Sequence, residues 1–121
     1  MKSSGMKRVQ AFFFATQSSH EPVREWLKAL DREDRRDIGR DLMTLEFGWP
    51  IGMPLARAMG DGLHELRVKL ARNRNARILF YVDREERLIL LHAFLKRSRT
   101  TPKRDLDLAR QRMREHQRSI G

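Results

Sequence analysis

Residues 62–96 constrain the fold of this chain more than any other stretch. "GLHELRVKL" (62–70), "RILFYV" (77–82) and "RLILLHAFLK" (87–96) are runs rich in branched and apolar residues, separated by "RNRNA" and by "DREE" (83–86). Connections this short leave no room for a crossover helix, so neighbouring strands must run antiparallel. In the first run His64, Leu66, Val68 and Leu70 share one parity, while Glu65, Arg67 and Lys69 share the other. Because strand side chains alternate, that strand has one apolar face and one charged face. The other two runs are apolar on both parities, as in strands covered on both sides. "PLARAMG" (54–60), after the Gly- and Pro-rich loop "GWPIGMP" (48–54), adds a weaker strand.

Upstream, "RVQAFFFAT" (8–16) has strand composition. Ser18 and Ser19 then lie near a helix start, with Pro22 suited to the first turn. Val23, Trp26, Leu27 and Leu30 follow at helical spacing, and Ile38, Leu42 and Leu45 repeat the pattern behind a capping Asp31, up to a stop at Gly48. These segments predict an amphipathic helical hairpin. Downstream, Thr101 is expected to cap a last helix with Pro102 at its first position, Asp105 and Asp107 near its positive end, and Leu106, Ala109 and Met113 as its apolar stripe. The order β-α-α-β-β-β-β-α predicts the α+β class: a twisted, mainly antiparallel sheet packed against an N-terminal helical hairpin, with a C-terminal helix. A chain of 121 residues is expected to form one domain, here 7–121 behind a disordered segment 1–6.

Charge narrows the function. The net charge is +10, yet residues 1–66 hold ten Lys/Arg and ten Asp/Glu. Residues 67–121 hold 16 Lys/Arg against 6 Asp/Glu, so the whole excess sits in the C-terminal half and predicts a polyanionic partner. Cysteine is absent, which excludes disulfides and thiolate chemistry and leaves no expectation of a metal site. No cofactor is expected. No apolar stretch approaches the length of a membrane span, and "MKSSGMKRV" lacks a signal-peptide core, so the cytoplasm is the expected location.

The site candidates follow from the strands. Arg77 shares its parity with Leu79 and Tyr81, so it must be paired, for instance with Glu65 or Asp83, or lie at a sheet edge. Ordinary ion pairing is one reading of Arg67 and Arg77. The other is that Arg67, Arg77 and the Lys96-Arg97 pair line one concave face as a phosphate-sized cationic site. Lys69, Arg99, Lys103 and Arg104 would extend it along a nucleic-acid backbone. Among the histidines, His20 reads as capping or solvated, His116 as part of a fraying C-terminal tail, His64 as a core or rim group, and His92 as a satisfied core histidine within an apolar strand. No Gly-rich phosphate loop or nucleophile elbow is present, and "GDG" (60–62) is a turn.

In order along the chain, "PVREWLKAL", "EFGWPIGMPL", "GDGLHELRV", "ARILFYV" and "LLHAFLKRSRTTPKRDLDLARQRM" resemble the RelE/HigB toxin superfamily, in its phage-derived, HigB-like branch. The resemblance covers residues 7–116 and implies a RelE-like fold. It further implies a type II toxin–antitoxin toxin that cuts mRNA, often on the ribosome, and forms a hetero-oligomer with an antitoxin carrying a helix-turn-helix domain. Carried over by motif, the Arg of Glu-Leu-Arg is Arg67, the Arg opening the next strand is Arg77, and the basic pair after Phe is Lys96 and Arg97. His64 stands where the pattern usually has Trp or Tyr, Arg97 replaces a Lys, and the only Tyr is Tyr81, not on the last helix. The implied reaction is attack of a 2′-hydroxyl on its neighbouring phosphate, with Glu65 or His64 as candidate bases. Rival expectations on the same fold are a gyrase-type inhibitor, a simple nucleic-acid-binding protein and a degenerate relic of a phage-like operon.

Overall fold

A computed structural model describes residues 6–120. Of the segment 1–6, only Met6, which is exposed, lies within the described residues. The elements are β1 (Gln10–Phe13), α1 (Pro22–Lys28), α2 (Arg32–Gly48), β2 (Ala56–Gly60), β3 (Leu63–Leu70), β4 (Arg74–Val82), β5 (Arg87–Leu95) and α3 (Lys103–Ser119). The order and class match the expectation. The five strands form one sheet in the order β1-β5-β4-β3-β2. Strands β2 to β5 are an antiparallel meander, and β1 lies parallel to β5 at the edge.

The turns follow local chemistry. Leu70 pairs with Arg74, so residues 71–73 close the β3–β4 hairpin, and Arg72 and Asn73 supply the positive φ, 58° and 61°, that tight hairpin loops require. At the β4–β5 turn the Asp83 carboxylate accepts from the Glu85 and Arg87 backbone N–H groups, both at 2.9 Å. The β4 strand starts three residues earlier than its apolar run, at Arg74, so Arg77 lies mid-strand rather than at its head.

Two cores sandwich the sheet. On one face Leu66, Val68, Ile78, Phe80 and Leu90 pack with Val23, Ile38 and Leu45 of the helical hairpin. On the other, Leu63, Leu79, Tyr81, Ile89 and Leu91 pack with Ala109 and Met113 of α3. This double cover explains why β4 and β5 are apolar on both parities. Each fully buried aliphatic or Phe side chain contributes about 1.5–3 kcal/mol. Exposed pairs such as Lys103–Asp107 contribute roughly 0–1 kcal/mol each, so the cores set the stability.

Polar fastenings fix the helix ends. Asp31 caps α2 by accepting from the Asp34 N–H at 2.9 Å. Buried Asp34 accepts two bonds from the Arg74 guanidinium, at 2.8 and 2.9 Å, which ties the start of α2 to the start of β4 and lowers the Asp34 carboxyl below its ordinary value. Thr101 does not cap α3. The N-cap is Pro102, which has no side-chain cap, and the Thr101 hydroxyl donates instead to Glu65 on β3. Near the far end of α3, the Tyr81 hydroxyl and His116 Nδ1 share a 2.5 Å hydrogen bond.

Burial, with help from Asp83, pushes the Tyr81 phenol up from 10.0 to about 12. A folded value above the unfolded one adds stability that is complete below pH 10.0 and is lost as pH rises through about 12. Tyr81 is the only tyrosine, so phenolate absorbance reports it alone. The expected midpoint is about 12 in the folded protein and 10.0 in denaturant, and coincident midpoints would contradict the burial.

Candidate functional site

The charged parity of β3 points to the same sheet face as α3. That helix covers the face over Leu63, Leu79 and Leu91. Ahead of its first turn, several strand positions on this face carry charge. Cross-strand register arranges them in rows. Arg57, Glu65, Leu79 and His92 lie side by side across β2 to β5, and Arg67, Arg77 and Phe94 form the next row. Lys69 faces Asn75, and the Lys96 backbone N–H donates to the Asn75 carbonyl at 2.8 Å. Directly opposed residues have Cβ atoms about 4.5–5.5 Å apart, so Arg67 and Arg77 are immediate neighbours of like charge.

One carboxylate stands among these cations. Glu65, 2% exposed, lies 3.6 Å from Arg77 Nε and also accepts from Thr101. Arg77 Nη1 donates to the Ala76 carbonyl at 3.1 Å. The other four, Arg57, Arg67, Lys69 and Lys96, form no ion pair among the described residues; the Arg67 guanidinium hydrogen-bonds, among these residues, only to Met53 Sδ, from Nη1 at 3.4 Å. Burial first, then repulsion from Arg77 and Arg67, holds the Lys96 ammonium below its usual value, against the pull of Glu65. Burial likewise lowers Arg77, with Glu65 opposing and Arg67 reinforcing. Cations that lower one another's proton affinity are relieved by an anion bound between them. A cavity of about 450 Å³, lined by Arg67, Lys69, Asn75 and Arg77 with Pro54 and Leu55, opens beside them.

The structure separates some expected site residues from this cluster. His64 faces the helical hairpin, edge-on to Trp49 at 4.9 Å and stacked on Phe80 at 5.5 Å, so the sheet lies between it and Arg67. Its parity with Leu66 already gave that direction. Arg97 is exposed and lines a different cavity, with Trp26, Arg104 and Asp105. Arg99, Lys103 and Arg104 are exposed on the β5–α3 connection and the first turn of α3, where Lys103 pairs with Asp107 at 2.6 Å. Sequence reading missed Arg57, whose place opposite Glu65 depends on the β2–β3 register. It also missed Arg40 and Asp41 of α2, which line the cavity; burial raises the Asp41 carboxyl. Nothing in the local pattern of α2 reports that its outer residues reach this site.

Among the described residues, no group of three or more His, Cys, Asp or Glu side chains could hold a metal ion, and no helix is long and apolar enough to cross a membrane. A family model described as phage-derived protein, Gp49-like, matches residues 25–114. The chain belongs to this Gp49-like family. It is a family of RelE/HigB-like toxins, and the matched span includes every residue of the cationic cluster. No curated protein matches the chain.

Proposed function

We propose that this Gp49-like protein is the toxin of a type II toxin–antitoxin pair, in the HigB-like branch, and that it cuts mRNA on the ribosome. The observation that carries the reading is the meeting of Arg67 on β3, Arg77 on β4 and Lys96, just past the end of β5, on one sheet face, where Glu65 is the one carboxylate ion-paired with them among the described residues. Rigid strands hold the charges before substrate arrives, the condition under which electrostatic stabilisation lowers a barrier. The scissile phosphate gains negative charge as a 2′-oxygen attacks. Arg67 and Lys96 neutralise that charge, and Arg77 is aimed by Glu65. Arg57 and Lys69 follow the flanking backbone.

Glu65 acts as a positioning group rather than the base, because Arg77 and Thr101 engage its carboxylate. His64 has no part in the chemistry, since it lies on the opposite face. The cognate antitoxin, with its helix-turn-helix domain, would bind and silence the toxin as a hetero-oligomer in the cytoplasm.

Brief induction of the chain in bacteria tests the reading. Growth arrest is expected, with new transcript ends inside coding regions and recovery when a helix-turn-helix protein encoded beside the toxin gene is co-expressed. Broken chromosomal DNA with intact transcripts would instead identify a gyrase-type inhibitor. Unimpeded growth with intact RNA would leave a binding protein or an inactive relic.

A further inference from the structure

With Glu65 engaged and His64 across the sheet, the groups near the cationic cluster able to accept a proton are Asp41, on the cavity wall, and His92. His92 stands on β5 in the row of Glu65 and Leu79, two residues from Phe94, the register partner of Arg77. His92 and Arg77 are therefore diagonal neighbours on one face, with Cβ atoms up to about 7–8 Å apart. The imidazole stacks on Phe94 with 26° between the planes, which fixes its orientation.

The second half of the arrangement comes from α3. His92 Nε2 lies 2.6 Å from Asp105 Oδ1, in the first turn of that helix. A carboxylate accepts only, so Nε2 carries the hydrogen and Nδ1 holds the basic lone pair. Nδ1 has no protein partner among the described residues, and it is not sealed from solvent. The side chains of His92 and Asp105 are 17% and 13% exposed, reachable yet largely withdrawn from bulk water. Of the charged groups nearby, Arg77 on β4 and Glu65 on β3 share this face by register, Arg104 on α3 has its Nε 4.0 Å from Asp105, and Arg112 on α3 donates to the Leu91 carbonyl next to His92 at 2.8 Å. A histidine held by a carboxylate on one nitrogen and free on the other is a recurring general-base arrangement.

We propose that His92 is the proton-transferring residue of this site and that Asp105 positions it. The inference rests on the RNA-cleaving reading given above. His92 Nδ1 takes the proton of the 2′-hydroxyl, and the 2′-oxygen forms a bond to phosphorus. The P–O5′ bond breaks with its electron pair going to O5′. The imidazolium returns the proton to O5′, which restores the neutral ring. The products are a 2′,3′-cyclic phosphate and a 5′-hydroxyl, and no other reactant is consumed.

The test measures mRNA cleavage by the full chain in a reconstituted translation mixture, across the neutral pH range in which imidazole changes protonation. His92→Gln is expected to slow cleavage by about 10²–10⁴-fold and to remove the fall in rate on the acid side. Its affinity for an oligonucleotide with a 2′-deoxy residue at the cut should be unchanged. His92→Ala should regain cleavage when free imidazole is added, a rescue that a purely structural role would not allow. Asp105→Asn should shift the acid-side fall along the pH axis, which provides a readout even if the His92 variants fold poorly.

If His92→Gln cuts at the parental rate with the parental pH profile, while Arg67→Ala does not cut, the inference fails and the RNA-cleaving reading stands. If Asp41→Asn loses the acid-side fall and His92→Gln keeps it, the base lies on α2 and the inference is likewise overturned. If the parent chain leaves RNA intact, both fall together.

Discussion

Arg67→Ala is expected to lower the RNA-cleavage rate by about 10²–10³-fold, the cost of removing one fixed charge from a transition-state site. It should leave the melting temperature close to that of the parent. Both halves follow from the surroundings of Arg67. It is half-buried, has no carboxylate partner among the described residues, and donates only weakly to Met53 Sδ. Its charge depresses both Lys96 and Arg77, so losing it relieves repulsion in the resting protein. An interaction that is unfavourable before substrate binds and favourable afterwards belongs to function. Cleavage rates beside a thermal melt of the same preparation check the prediction. A variant that unfolds early, or one that cuts at the parental rate, contradicts it.

Arg77→Ala should behave differently, although Arg77 faces Arg67 across the β3–β4 ladder. Its side chain is 5% exposed and neutralises Glu65, which is 2% exposed. Removing one member of a buried pair leaves an uncompensated charge and costs about 3–5 kcal/mol. That is a large share of the total stability of roughly 5–15 kcal/mol expected for a domain. Arg77→Ala is therefore expected to unfold at markedly lower denaturant concentration and to lose cleavage as well. Replacing both partners, Glu65→Leu with Arg77→Met, removes the stranded charge and should restore most of the stability without restoring activity. Denaturant titrations of the single and double variants check this. A single variant as stable as the parent would show that the pair contributes nothing to the fold.

The contrast between these two arginines marks how far the sequence was legible. Strict alternation in 62–70 placed Arg67 and Glu65 on one face, while the parity of Arg77 with Leu79 and Tyr81 said only that it must be paired or lie at an edge, and its place opposite Arg67 came from the β3–β4 register. Helical spacing of Val23, Trp26, Ile38 and Leu45 gave the hairpin. These signals are local, because backbone geometry repeats every two or 3.6 residues. Contacts made by strand register or by distant elements left no such trace. Arg57 reached the site through pairing of β2 with β3, Asp41 through the approach of α2, and Asp105 through the docking of α3 on β5. Thr101 shows the same limit: its position before Pro102 suggested a helix cap, but tertiary packing gave its hydroxyl to Glu65. His92 read as a core histidine because its neighbours in sequence are apolar, while its neighbours in space include Asp105 and Phe94.

The most direct test of the account is where RNA touches the protein. Backbone amide shifts can be followed by NMR while an RNA oligonucleotide, blocked by 2′-deoxy residues, is added at low salt, where phosphate contacts are strongest. Shifts are expected to concentrate at 65–69 on β3, 75–79 on β4 and 92–95 on β5 with Lys96 beyond it, and to be nearly abolished by Arg67→Ala. Shifts centred on α1 and α2, or an unchanged spectrum at saturating RNA, would contradict the account.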